Sequence, residues 1–146
     1  MDPVRFAWKW TCLVLMILCV AWALWRGEKA ERAGAVILAT SWGLTDLVHK
    51  HGVYGPEMAV ILVDIVTLFA FVWLSLWSRR LWTVFLSAFQ LDTVASHFAV
   101  LLAPQIGGFS YITATGLWGG YCLVFALAAG MWGVERRRRE WQAASP

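Results

Sequence analysis

Charged residues are scarce in this sequence: they make up 14% of its 146 residues, whereas a soluble domain carries about 25%. Long polar segments are also missing, which leaves no room for a separate catalytic, nucleotide-binding or DNA-binding domain. The motifs HExxH, CxxC and CxxCH do not occur. Without a metal motif or a nucleophile–base motif, an intramembrane enzyme is the least favoured class of function.

Cysteine is nearly absent as well. The three cysteines, Cys12, Cys19 and Cys122, form no metal-binding or disulfide motif. Cys12 and Cys19 are two turns apart on one helix face, about 10 Å, which is too far for a disulfide. We interpret all three as small apolar packing residues.

What the sequence has in abundance is apolar residues, which make up 60% of the chain. A helix that spans a bilayer needs about 20 mostly apolar residues, within a range of about 17–25. Four apolar stretches meet that length and a fifth, the second in order, is slightly short. The stretches run over 6–25, 33–48, 56–77, 81–102 and 111–132. The sequence therefore predicts a single all-α domain over 1–146, a bundle of five transmembrane helices with a basic tail at 135–146. We expect the first stretch to be an uncleaved helix, which ends in Ala-Leu-Trp-Arg.

The positions of the basic residues predict the orientation of this bundle. Nine of the twelve Lys and Arg residues fall on the side of the C-terminal tail, and cytoplasmic segments are the ones that carry such an excess. We therefore expect the N-terminus outside and the C-terminus inside a bacterial cytoplasmic membrane. The lipid bilayer then explains the net charge of +3, and no nucleic-acid partner is predicted. The nine residues are Arg26, Lys29, Arg32, Arg79, Arg80 and Arg136–Arg139, and the other three are Arg5, Lys9 and Lys50.

Ionisable residues inside a membrane span are costly, so each is a functional hypothesis. Helix geometry at about 1.5 Å per residue places the polar groups from the bilayer centre toward the outer surface. The inner half of the predicted spans contains no ionisable residue. These groups predict a ligand- or proton-binding site in the outer half, built from Asp46, His49, Asp64, Gln90, Asp92 and His97.

Helical angles separate these residues into two groups. At about 100° per residue, Gln90 and His97 share a face of the fourth helix with Thr83 and Thr93, and Asp92 points almost the opposite way. Asp92 therefore needs a partner on another helix or in another subunit. Asp64 and His97 are the residues that we most expect to act together.

Several chemistries remain open for this set. A proton pathway would use His97 with Asp64, since histidine titrates near neutral pH. A metal site would draw ligands from Asp46, His49, Asp64 and His97. A haem between His49 and His97 is the least favoured, because His49 lies near the surface. Alternatively, the residues only hold the bundle together, with about 0.6–2 kcal/mol for each hydrogen bond between helices.

Small residues are spaced four apart in the fifth stretch. Gly116 and Gly120 form one such pair, and Ala126 and Gly130 form a second. This spacing lets two helices approach closely. The sequence predicts a close helix contact there, either within the chain or between subunits.

The segment 78–97 resembles a pattern found in small bacterial inner-membrane proteins of no assigned activity. In that pattern an Asp in one helix is followed by a short basic turn, a Trp, Phe-Gln-Leu and a downstream His. The matching residues are Asp64, Arg79, Trp82, Phe89, Gln90, Leu91 and His97. The resemblance covers about a third of the chain. It implies an inner-membrane location and points to Asp64, Gln90 and His97 without implying an activity.

Two classes of function remain. The first is an oligomeric protein that transports or conducts protons or a small cation, supported by the polar residues of the outer half. The second is an accessory or assembly subunit of a larger membrane complex, respiratory or photosynthetic, supported by the small size and the absence of soluble domains.

Overall fold

The computed structural model describes residues 3–49, 56–103, 105 and 108–144, with the side chains of residues 3–6 excepted. Helices account for 93% of these described residues, so the all-α class is confirmed. The helices are α1 Pro3–Arg26, α2 Lys29–Val48, α3 Met58–Ser78, α4 Leu81–Leu102 and α5 Gly108–Ala144.

Among the described residues, four helices are long and apolar enough to cross a membrane: α1, α3, α4 and α5. Their length and composition mark the chain as a multi-pass membrane protein. The α2 helix has 20 residues, which is about 30 Å. It is not one of these four, because charged residues occupy both of its ends: Lys29, Glu31, Arg32 and Asp46.

Two helices extend beyond their predicted apolar stretches. The α2 helix begins at Lys29 rather than at residue 33, and α5 spans Gly108–Ala144 rather than 111–132. In α5, charged side chains beyond residue 134 are exposed or partly exposed and continue the helix at the surface. In α5 an ion pair one turn apart supports this extension, with 2.9 Å between Arg136 Nε and Glu140 Oε1.

Three segments of the chain meet at one end of the bundle: residues 26–32, 78–81 and 133–144. We call this the arginine-rich end. Arg26 Nε lies 2.8 Å from Glu135 Oε1, and Arg137 Nη2 lies 3.2 Å from Glu28 Oε1. The predicted basic segments therefore share one end. Between α3 and α4 the chain reverses within two residues, and Arg79 takes the left-handed conformation, with a φ of 52°.

The centre of the bundle is apolar. Four side chains from α2, α3 and α4 form what we call the apolar layer, and each is at most 1% exposed. Leu127 and Met131 of α5, both 0% exposed, complete the packing around it. The apolar layer consists of Leu38, Phe71, Leu74 and Leu86.

A π-helical segment, Leu117–Cys122, interrupts α5. Trp42 Nε1 of α2 donates a hydrogen bond of 3.2 Å to the carbonyl oxygen of Gly119 in this segment. A Cβ on Gly119 would lie 3.0 Å from Thr93 Cγ2, so α4 and α5 approach closely at this point. Such π segments are rare and frequently accompany functional sites.

The small residues of α5 make contacts within the chain. A Cβ on Gly120 would lie 3.1 Å from Cys12 Sγ, and one on Gly130 would lie 2.7 Å from Trp82 Cδ2. A Cβ on Gly116 would lie 3.4 Å from Trp8 Nε1. Ala126 is also buried, at 6% exposed. The close contact that the spacing predicts is thus made with α1 and α4 of the same chain.

Candidate functional site

Side chains from α3, α4 and α5 meet in a polar cluster, which we define as Asp64, Gln90, His97 and Tyr111. Gln90 and His97 are seven residues apart on α4, so two helical turns bring them to one face. Asp64 lies on the face of α3 that also carries Thr67 and the buried Phe71. The helical pattern of α3 and α4 therefore turns all three residues inward.

Hydrogen bonds connect the four side chains in a row. Tyr111 Oη lies 2.7 Å from His97 Nδ1. His97 Nε2 lies 2.8 Å from Asp64 Oδ2. Gln90 Nε2 donates to Asp64 Oδ1 at 3.0 Å. Each polar atom of the Asp64 carboxylate and of the His97 ring thus has a partner.

The cluster is shielded from its surroundings, but not completely. His97 is 2% exposed and Gln90 is 1% exposed, whereas the side chain of Asp64 is 13% exposed. Asp64 is therefore the member through which the cluster reaches the surface of the bundle.

The hydrogen-bond pattern accommodates two protonation states of His97. An ionised carboxylate only accepts hydrogen bonds, so His97 Nε2 donates to Asp64. In the neutral ring, Nδ1 accepts the Tyr111 hydroxyl proton. In the imidazolium, Nδ1 donates to the Tyr111 oxygen, and the hydroxyl only has to rotate. The cluster can gain or lose one proton while every heavy atom keeps its place.

A second polar contact lies between the cluster and the apolar layer. The hydroxyl oxygens of Thr67 on α3 and Ser41 on α2 are 2.8 Å apart, and both residues are buried. One turn from these hydroxyl groups, on the side of the arginine-rich end, lie Phe71 of α3 and Leu38 of α2. The polar region therefore ends where the apolar layer begins.

The other three predicted site residues lie elsewhere. Asp46 is exposed on α2, and Asp92 is exposed near the middle of α4. His49 Nδ1 lies 2.7 Å from Glu57 Oε1, at the end of the bundle opposite the arginine-rich end. These three residues do not belong to the polar cluster.

The metal and haem hypotheses need ligands that converge. Within the described ranges no three His, Cys, Asp or Glu side chains are arranged to hold a metal ion. Both ring nitrogens of His97 already have hydrogen-bond partners in Asp64 and Tyr111. His97 would have to lose one of these bonds to become a ligand.

The sequence did not predict Tyr111 or Glu31 as a member of a buried polar contact. Tyr111 stands at the start of the fifth apolar stretch, where an aromatic ring is commonplace, so its partnership with His97 has no local signal. Glu31 lies between the first two predicted apolar stretches. The only clue to its burial was its spacing, one turn before Ala35 and two turns before Leu38 on the same face of α2.

Glu31 belongs to an ion-pair network at the arginine-rich end, which we define as Glu28, Glu31, Arg80 and Arg137. Glu31 is 0% exposed and pairs with Arg80 Nη1, while Arg80 Nη2 and Arg137 Nη2 pair with Glu28. The hydrogen bond from Arg80 lowers the pKa of Glu28 below its usual value near 4.5. Both acidic side chains of this network therefore face fixed positive charge.

No family model matches this sequence, and no similarity to a curated protein or to a solved structure was found.

Proposed function

We propose that this protein moves protons or a small cation across a bacterial cytoplasmic membrane as an oligomer, and that the polar cluster is its proton-binding site. The observation that carries the proposal is the hydrogen-bonded row Tyr111–His97–Asp64, in which His97 keeps both partners in either protonation state. Proton carriers in membranes are built from such His and Asp side chains.

The position of the polar cluster supports proton entry from one side of the membrane. Asp64 is partly exposed, whereas the apolar layer separates the cluster from the arginine-rich end. Hydrophobic constrictions of this kind block ions and protons until they open or hydrate. In the proposed mechanism a proton enters at Asp64 and His97, and the apolar layer is the gate that must open for passage. With the predicted orientation, entry is from outside.

Asp92 supports an oligomer. It is exposed near the midpoint of α4, where lipid contact would cost about 2.5–3.5 kcal/mol on insertion scales. Ala88, Ala95 and Ala99 of α4 are also exposed and would let another helix approach. A second copy that covers this face would remove Asp92 from lipid.

The test is proton flux into liposomes that contain the purified protein. Asp64→Asn and His97→Gln should abolish the flux, because each removes a group that binds the proton. Asp46→Asn and His49→Gln are matched controls, since they make the same chemical changes outside the cluster, and they should retain it. The unfolding temperature of every variant shows whether the protein is intact. Full flux in both cluster variants would overturn the proposal.

Asp92 equally favours the second class of function, an accessory subunit of a larger membrane complex, because a protein partner of any kind would cover it. Extraction of the tagged protein in mild detergent, followed by mass spectrometry, separates the two. A single species at a multiple of 16.4 kDa supports a self-contained oligomer. Co-purification with a large complex, released by Asp92→Leu, supports the subunit.

A further inference from the structure

A cleft of about 680 Å³ opens at the arginine-rich end, between the α1–α2 turn and the α3–α4 turn. Its volume lies within the range of about 300–1,000 Å³ that is typical of small-molecule sites. It plays no part in the proton chemistry proposed above, since the apolar layer separates it from the polar cluster. The side chains that matter in its lining are Glu28, Lys29, Arg32, Trp77, Ser78 and Arg80.

The charge of the cleft is unbalanced. Three of its side chains are cationic and one, Glu28, is anionic. Arg80 is neutralised by Glu28 and by the buried Glu31. Lys29 and Arg32 form no ion pair with any residue that the structure describes, and Arg32 only donates its Nε hydrogen to the Gly27 carbonyl oxygen, at 2.9 Å. Two cations therefore remain to attract an anion.

The backbone adds to this attraction. The α2 helix begins at Lys29, and its first turn lines the cleft without a hydrogen bond from the side chain of its N-cap residue, Glu28. The first N–H groups of a helix have no partner within it and favour negative charge. The free cations and these N–H groups point to the same ligand chemistry, a phosphate group.

An apolar surface adjoins the cleft and distinguishes a lipid from a free phosphate. Trp77 lines the cleft and is 52% exposed, and Leu76 beside it is 73% exposed. Trp73 stacks on Trp77, with ring centroids 6.0 Å apart and planes 3° apart. Tryptophan prefers the boundary between headgroups and acyl chains. A lipid bound here would place its phosphate on Lys29 and Arg32 and its acyl chains along the end of α3.

We propose that this cleft is a binding site for the headgroup of an anionic phospholipid. Basic pockets at the ends of transmembrane helices are suited to such headgroups. The ligand bridges the α1–α2 turn, through Lys29 and Arg32, and the end of α3, through Trp77.

Native mass spectrometry of the full chain, taken from nanodiscs that contain phosphatidylcholine and phosphatidylglycerol, tests the site. The native protein should retain phosphatidylglycerol. Lys29→Gln with Arg32→Gln should weaken the retention about tenfold or more, because hydrogen bonds to charged groups are strong. Arg138→Gln with Arg139→Gln removes the same charge from the tail and should leave it unchanged. Lys29→Gln alone, at an exposed position, gives a smaller loss if the double variant does not fold.

Three outcomes overturn the proposal. Equal retention of phosphatidylcholine means that headgroup charge is not recognised. An equal loss in the tail variant means that only the overall charge matters. Full displacement by inorganic phosphate means that the site binds free phosphate rather than a lipid. Retention of phosphatidylglycerol that only the cleft variants weaken, and that phosphate does not displace, supports the proposal.

Discussion

The polar cluster and the ion-pair network both bury a carboxylate against a cationic or potentially cationic partner, yet they differ in what the partner can do. In the cluster Asp64 faces His97, whose ring has a neutral and a protonated form. In the network Glu31 faces Arg80, whose guanidinium stays protonated in proteins. His97 can therefore change its charge, whereas Arg80 cannot.

The partners of the two carboxylates lead to different expectations. Glu31 is 0% exposed and depends on a permanent charge, so the network should matter mainly for stability. Asp64 is 13% exposed, and its hydrogen-bond partners are the amide of Gln90 and the ring of His97, neither of which is a permanent charge. The cluster should tolerate a neutral substitution in stability and lose function instead.

The strongest test of this contrast is Arg80→Met. Removing one partner of a buried ion pair leaves an uncompensated charge and typically costs about 3–5 kcal/mol. We expect a loss of this size in the free energy of unfolding, measured by denaturation in mixed detergent micelles. Adding Glu31→Gln should recover part of it, because the buried side chain is then neutral.

Arg79→Met is the matched control for Arg80→Met. Arg79 is the neighbouring residue, is exposed, and forms no ion pair with a described residue. Its substitution should change the free energy of unfolding by about 0.5 kcal/mol or less. Equal losses at both positions would mean that the network does not stabilise the bundle.

A second test concerns the packing that joins the network to the apolar layer. The Trp82 ring lies between Gly34 of α2 and Gly130 of α5. An added Cβ at residue 130 would lie 2.7 Å from two ring carbons of Trp82, so Gly130→Ala forces the ring to move. We expect a loss of about 1–3 kcal/mol in the free energy of unfolding.

Gly43→Ala provides the control for this substitution. Nothing lies within 4 Å of a Cβ at residue 43, and alanine favours a helix over glycine by about 1 kcal/mol. This variant should be as stable as the native protein or more stable. A Gly130→Ala protein that unfolds like Gly43→Ala would show that Trp82 is loosely packed.

The contrast between the two regions also shows which features the sequence can reveal. Helical periodicity predicted one face for Thr83, Gln90, Thr93 and His97, and all four are buried, while Asp92 on the opposite face is exposed. Such predictions need only the geometry of a single helix. The length of the apolar stretches predicted five spans. Four of them are helices long and apolar enough to cross a membrane, and the fifth, α2, is not among these four.

Helical periodicity alone does not predict which residues of different helices come into contact. The pairing of His97 with Tyr111, and of Glu31 with Arg80, depends on how far each helix is rotated and shifted against its neighbours. The predicted apolar stretches also cover less than the helices do, so Glu31 fell outside the second predicted stretch although α2 begins at Lys29. A charged residue at a helix end does not indicate whether tertiary packing will bury it.

Asp64→Asn tests the other half of the contrast. Asparagine keeps the size of the side chain but has one acceptor oxygen instead of two. Either Gln90 Nε2 faces a second donor, or the His97 ring takes the tautomer that accepts at Nε2. Both arrangements replace hydrogen bonds to a carboxylate by weaker ones to a neutral amide. Hydrogen bonds between membrane helices are worth about 0.6–1.7 kcal/mol, and we expect a loss of that size in the free energy of unfolding. The effect is smaller than for Arg80→Met, while proton flux is lost only in Asp64→Asn. A loss as large as that of Arg80→Met would make Asp64 a structural residue.

The smallest expected effect is the pH dependence of the network. Hydrogen bonding to Arg80 lowers the pKa of Glu28 below its usual value near 4.5. Since the pKa is lower in the folded protein, the ionised carboxylate stabilises the fold above about pH 4.5, and this contribution disappears as the pH falls through the folded-state pKa. The Glu28 side chain is 42% exposed, so the contribution is modest.

Glu28→Gln isolates this contribution from the other acidic groups. The difference in unfolding temperature between the native protein and Glu28→Gln should be largest near neutral pH and should shrink as the pH falls below about 4.5, because both then carry a neutral side chain. Measuring both proteins from about pH 7 to about pH 3 checks this. A difference that stays constant across the range would show that Glu28 stabilises the turn by packing alone. The network would then depend on the buried pair of Glu31 and Arg80, and its contrast with the proton-binding cluster would become sharper.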